Sequence, residues 1–236
     1  MKKKYKVLLF DIDDTLLDFD KAETLSLIEC FQKYNISYND EVINNYKKIN
    51  LSYWQEYEKG TITIPNLMIA RFVDLLGPYR LDLNKDGLID FAKEFNEYYL
   101  SRLNKKNDII DGADVIIKKL CKDFLIYPAS NGVGATQVER VESSKLKGLF
   151  SKYYISGFIG FQKPQIEFFN YIFNDLKDIK KEKILMIGDS LTSDILGGIN
   201  AKIDTCWFNY RSRIKGNVHP TYEIKSLDEL LNIVYE

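Results

Sequence analysis

Apolar positions follow two different periods along this chain. Short, mostly apolar runs, flanked or closed by charges or by Gly, Asp and Ser, occur at 7–10, 124–129, 153–156, 183–187, 204–208 and 222–224. Such runs read as buried strands of a parallel sheet. Between 17 and 107 the period is helical instead: 22–34, 41–57, 65–76 and 86–103 carry apolar residues at helical spacing. Asn35 follows the first segment as a stop, Pro65 suits the first turn of the third, and Gly77-Pro78 closes it. Helical segments then alternate with the later strands at 112–121, 136–147, 165–176, 195–200 and 227–234.

Strands alternating with helices predict an α/β fold, a doubly wound three-layer α/β/α Rossmann-like core around a parallel sheet. The expected core comprises residues 1–16 and 108–236, with 17–107 inserted as an all-helical cap.

Composition narrows the function classes. The chain has 236 residues, 45% apolar, enough for a sizeable core, and a formal net charge of −1 argues against a nucleic-acid polymer or a membrane surface as partner. No apolar run reaches the roughly 18 residues of a membrane span. A soluble, cytoplasmic protein is the expectation. Cys30, Cys121 and Cys206 are far apart and odd in number, which suits buried thiols better than a disulfide framework.

Four strand ends carry candidate chemistry. The first strand runs into Asp11-Ile12-Asp13-Asp14-Thr15. In an open parallel sheet, ligands bind beyond the carboxyl ends of strands. Carboxylates crowded there repel one another unless a cation is present, and a hard cation such as Mg²⁺ suits oxygen donors. A solvated acidic turn is the bland alternative. The second end is Ser130-Asn131-Gly132, whose hydroxyl and backbone N–H groups suit a phosphate oxygen, although the same residues also make plain turns. Lys163 stands before Pro164 at the start of a helix, where it can neutralise an anion or simply be solvated. The fourth end, Gly188-Asp189-Ser190 with Asp194 after it, offers a metal ligand or a helix cap. His219 is the only histidine and precedes a proline, so a Ser-His-Asp triad has little to stand on.

Taken together, Asp11-x-Asp13-x-Thr15, Ser130, Lys163-Pro164 and Gly188-Asp189-x4-Asp194 resemble the four motifs of the haloacid dehalogenase-like (HAD) phosphohydrolases. The resemblance covers nearly the whole chain and implies a HAD-like core with a C1-type helical cap. Asp18-Phe19, Gly60-Thr61-Ile62-Thr63, Ala135-Thr136-Gln137 and the Gly188–Ile195 stretch are further similar to the bacterial nucleotidase branch known as YjjG/YfnB. Ser130 stands where that branch often has Thr, and either supplies a hydroxyl.

The resemblance implies Asp11 as nucleophile, Asp13 as general acid/base, and Ser130, Asn131 and Lys163 as phosphate-binding groups. It implies Mg²⁺ held by Asp11, the Asp13 main-chain carbonyl, Asp189 and, directly or through water, Asp194, which alternatively orients Lys163. Thr15 would shape the loop, and Asp14 has no catalytic part. The implied activity is phosphomonoester hydrolysis, most specifically of 5′-nucleoside monophosphates with pyrimidine and deoxy forms favoured, by a monomer or homodimer. A sugar-phosphate phosphatase, a phosphomutase, a dehalogenase and a non-catalytic nucleotide-binding module are the competing readings. Selectivity is expected from the helical insertion, where Phe19, Tyr46, Tyr53, Trp54, Tyr57 and Phe72 mostly pack between helices and one or two are left to stack on a base.

Overall fold

The computed structural model describes residues 3–235. Two compact units emerge, one formed by the chain up to Asp18 and from Asn107 onward, the other by Phe19–Lys106.

The first unit is built on six parallel strands: β1 (Val7–Phe10), β2 (Leu125–Ser130), β3 (Tyr154–Ile155), β4 (Ile184–Gly188), β5 (Asp204–Phe208) and β6 (Tyr222–Ile224). Their order across the sheet is β3-β2-β1-β4-β5-β6. The chain steps one way from β1 to β3 and the other way from β4 to β6, so the switch point lies between β1 and β4. All four residues of β1 are buried, as are all five of β4, which explains why both read as unbroken apolar runs. Helices α5 (Ala113–Leu120), α6 (Gly134–Glu142), α7 (Ser156–Ile159), α8 (Ile166–Asp175) and α9 (Leu196–Ala201) connect the strands, and α10 (Leu230–Val234) follows the last of them. One apolar cluster joins Leu8, Phe10, Ile117, Leu185 and Leu230; another joins Val7, Leu9, Phe168, Phe169 and Met186. The α/β core with a doubly wound sheet is therefore present.

Register brings the strand ends level. Phe10 pairs with Pro128 on one side and Ile187 on the other, so Asp11 lies level with Ala129 and Gly188.

Three local expectations are corrected. A helix over 136–147 was expected, yet α6 starts at Gly134 and stops at Glu142. Ser143 and Ser144 end it by donating their hydroxyls back to the carbonyls of Arg140 and Val141 at 3.2 and 2.7 Å, offering the backbone an alternative to helix. The strand expected over 153–156 shrinks to two residues and turns directly into α7. The helix expected over 195–200 is preceded by a π-helical turn, Leu191–Ile195, and α9 itself runs from Leu196 to Ala201.

The second unit consists of α1 (Phe19–Lys33), α2 (Asp40–Glu58), α3 (Ile64–Leu76) and α4 (Lys85–Leu103). Helix α4 packs on α1 and α3, and α2 on α3. Tyr46 and Phe72 stack with ring centroids 5.4 Å apart, within a core that includes Leu27, Phe31, Phe95 and Tyr99. Tyr57 is also buried, whereas Phe19, Tyr53 and Trp54 are half-buried. A polar network crosses this core: Asn50 donates to Glu23 at 2.6 Å, and Arg71 donates to Asn50 and Asn96 at 2.9 and 3.1 Å. Among the described residues no helix is long and apolar enough to cross a membrane.

Candidate active site

Beyond Phe10 the chain turns sharply. The carbonyl of Ile12 accepts from the backbone N–H groups of Leu16 and Leu17 at 2.9 Å, and Asp14 takes a positive φ of 55° at the tip. Thr15 is fully buried within this turn. The turn leaves Asp11 at the strand mouth, 7% exposed, with its N–H donated to the Ile187 carbonyl at 2.9 Å.

Lys163 reaches this point from the loop before α8 and is not a solvated charge: it is 1% exposed. Its ammonium donates to Asp11 Oδ1 at 2.7 Å, Asp194 Oδ1 at 2.6 Å and the Ala129 carbonyl at 2.5 Å. Three acceptors match the three protons of an ammonium. Burial alone would push this ammonium down, but Asp11 and Asp194 outweigh it and hold Lys163 above its ordinary value.

Asp194 is fully buried on the π-helical turn. Its second oxygen accepts the Ser190 N–H at 3.0 Å. Gly188 makes room for it, since a Cβ there would lie 2.1 Å from Asp194 Oδ2. Asp189 follows at the end of β4; its carbonyl accepts from the Trp207 indole at 2.8 Å, and its carboxylate meets Arg213 at 3.0 Å. In the same loop Arg211 meets Asp14 at 2.9 Å.

Asp11, Asp189 and Asp194 each present an oxygen, all within 4.8 Å of one another. Burial raises Asp11 well above the usual carboxylate range despite Lys163, and with Asp194 and Asp14 nearby it raises Asp189 to about 7. Three carboxylates faced by two cations, Lys163 at Asp11 and Asp194 and Arg213 at Asp189, leave negative charge in excess, carried by oxygen donors. That donor set fits a hard divalent cation.

The remaining sequence-predicted residues meet here as well. Ser130 is 1% exposed at the end of β2. The Asn131 side chain is turned onto the backbone of Lys163, donating to its carbonyl and accepting from its N–H, both at 2.8 Å. Asp13, two residues beyond Asp11, points to α6: Gln137 donates to its Oδ2 at 2.6 Å and Arg140 to its Oδ1 at 2.5 Å. His219 is exposed in a loop.

Arg140 and Arg213 carry no motif and were not foreseen as site residues; Gln137 was noted only as part of a pattern. The available signal was positional. Gln137 and Arg140 stand three apart and beside Val141, on the face of α6 that is buried, where polar side chains demand partners.

A family model described as haloacid dehalogenase-like hydrolase matches residues 5–202. The magnesium-bound structure of the Bacillus subtilis protein YfnB, described as a HAD-hydrolase, aligns at 39% identity over 98% of this chain and 99% of that one, with a TM-score of 0.89. The pyrimidine 5′-nucleotidase PynA of Streptococcus pneumoniae is 35% identical over 97% of this chain and 94% of its own length. The pyrimidine 5′-nucleotidase YjjG of Escherichia coli is 30% identical over 96% of each. With the family match spanning the strand ends where the buried carboxylates and Lys163 meet, and relatives aligned over almost their whole length, the chain belongs to the haloacid dehalogenase-like hydrolases.

Proposed function

We propose that this chain is a phosphomonoesterase acting on 5′-nucleoside monophosphates, with pyrimidine and deoxy forms favoured, through a phosphorylated Asp11. The observation that carries the reading is the buried Asp11–Lys163–Asp194 chain, at 2.7 and 2.6 Å, set at the switch point of the sheet. A carboxylate nucleophile splits one difficult displacement into two. Asp11 would attack phosphorus, and the ester oxygen would leave with the electron pair of the broken P–O bond, taking a proton from Asp13. Water would then attack the aspartyl-phosphate, with Asp13 receiving its proton. Lys163, already desolvated and fixed, would face the charge that builds on the phosphoryl oxygens, where a preorganised donor is worth far more than in water. The Ser130 hydroxyl and the Asn131 backbone N–H would bind the other oxygens.

Asp11, the Asp13 carbonyl and Asp189 would hold Mg²⁺, with Asp194 bordering the ion, directly or through water, while anchoring Lys163. Bound there, the ion would neutralise phosphate charge and draw off the excess negative charge of the carboxylates. Phosphate-ester substrates also agree with the named activities of PynA and YjjG.

A purified-enzyme panel of nucleoside monophosphates, sugar phosphates and small phosphorylated acids with Mg²⁺ tests the reading. Pyrimidine nucleoside monophosphates are expected to show the highest kcat/KM. Sugar phosphates turned over about tenfold more efficiently than any nucleotide would overturn the substrate assignment, and no phosphate release from any ester would overturn the activity.

A further inference from the structure

Asp13 is held more firmly than its partial exposure suggests. Both its oxygens are engaged by α6, Oδ2 by Gln137 Nε2 at 2.6 Å and Oδ1 by Arg140 at 2.5 Å. The two donors are themselves tied together, since the same Arg140 nitrogen donates to Gln137 Oε1 at 3.1 Å. The second proton of the Gln137 amide goes to Ser130 Oγ at 3.0 Å. Gln137 and Arg140 are 3% and 1% exposed, and Asp13 retains 27% of its side-chain surface. A closed ring of Asp13, Gln137 and Arg140 results, tethered to the end of β2 through one amide nitrogen.

Surface ion pairs cost side-chain entropy and hold little. This one differs because the cation and the amide are buried in α6 and cannot turn to water, so the mobile partner is the carboxylate. A guanidinium and an amide donating to separate oxygens fix the carboxylate plane as well as its position. The tether to Ser130 sets that plane relative to the end of β2.

We infer that Gln137 and Arg140 are positioning residues that fix the Asp13 carboxylate for proton transfer to the departing ester oxygen, in register with Ser130. The inference rests on Asp13 as proton donor. Neither residue touches the ester; both act through Asp13. Their contribution to the first displacement therefore scales with how much the leaving oxygen needs a proton. An alkoxide leaving group needs it badly. A nitrophenolate, stable as an anion, hardly needs it.

Single-turnover release of the leaving group from a nucleoside monophosphate and from 4-nitrophenyl phosphate, at saturating Mg²⁺, provides the test. It reads the first displacement alone, whereas the second, in which Asp13 takes the proton of water, is common to both esters. Gln137→Met and Arg140→Met are each expected to slow this release from the nucleotide about tenfold or more and to leave nitrophenol release within about threefold of wild type. Arg140→Lys should recover part of the nucleotide rate, and in an Asp13→Asn background Gln137→Met should cost nothing further. Gln137→Met replaces an amide by a side chain of similar length, so it serves should Arg140→Met fail to fold. Losses equal for both esters, or fully additive with Asp13→Asn, would overturn the inference and leave the ring a packing feature. Asp13→Asn with an undiminished nucleotide rate would overturn the proton-donor assignment itself.

Discussion

The side-chain amide of Asn131 grips the peptide of Lys163 from both sides, donating to its carbonyl and accepting from its N–H at 2.8 Å each. Asn131 follows β2 and Lys163 lies 32 residues later in the loop before α8, so this pair ties the two segments together. Aspartate at 131 could accept but not donate. Asn131→Asp is expected to lower kcat about tenfold, and Asn131→Ala ten- to a hundredfold, with a smaller change in KM, because the ammonium drifts from its position. Unchanged kcat in a folded Asn131→Ala protein would show that the loop keeps its place without the grip.

Lys163→Met removes the one buried cation between Asp11 and Asp194. Turnover is expected to fall by about 10²–10³ or more. Leaving buried carboxylates uncompensated should also cost about 3–5 kcal/mol of stability in metal-free buffer, and Mg²⁺ should restore part of it. A metal-free thermal melt equal to wild type would contradict the charge accounting of this site.

Chelation is expected to silence the protein and Mg²⁺ to restore it, while Ca²⁺ restores little, since its larger and looser shell poorly suits a geometry fitted to an octahedral ion. Asp189→Asn should raise the Mg²⁺ concentration needed for half-activity more than Asp13→Asn does, because Asp13 would contribute only its main-chain carbonyl. Full activity after exhaustive chelation would rule out the metal assignment.

Glu23 makes the helical unit sensitive to pH. Burial, opposed by Arg71 and Lys47, raises its carboxyl from the usual range to about 7. Between the unfolded and folded values the native state holds the proton and the unfolded state has lost it, so stability falls as pH rises across that window. Unfolding followed from about pH 4.5 to pH 8 should show a decline of at most about 3 kcal/mol, and Glu23→Gln should flatten it. A wild-type curve already flat over the same range would contradict the assignment.

Much of the sheet was legible because β1 and β4 are buried on both faces and leave unbroken apolar runs, each closed by a polar strand end. Asp11, Ser130 and Asp189 could be found because they stand at or just beyond strand ends, where topology alone predicts a site. Lys163 was ambiguous for a physical reason: only the fold reveals that its charge is enclosed by Asp11, Asp194 and the Ala129 carbonyl. Arg213 stayed hidden for the same cause, its partner Asp189 lying 24 residues back in the chain. Helix α6 was mis-bounded because Ser143 and Ser144 act through local side-chain bonds that hydrophobic spacing does not register.

The central claim is that Asp11 carries the phosphoryl group between two displacements. Rapid acid quench during turnover, followed by peptide mass spectrometry, tests it most directly. A single phosphoryl adduct on the peptide containing Asp11, labile to hydroxylamine and missing from folded Asp11→Asn, is the predicted result. Near-normal phosphate release by Asp11→Asn, or a phosphorylated residue elsewhere in the chain, would contradict it.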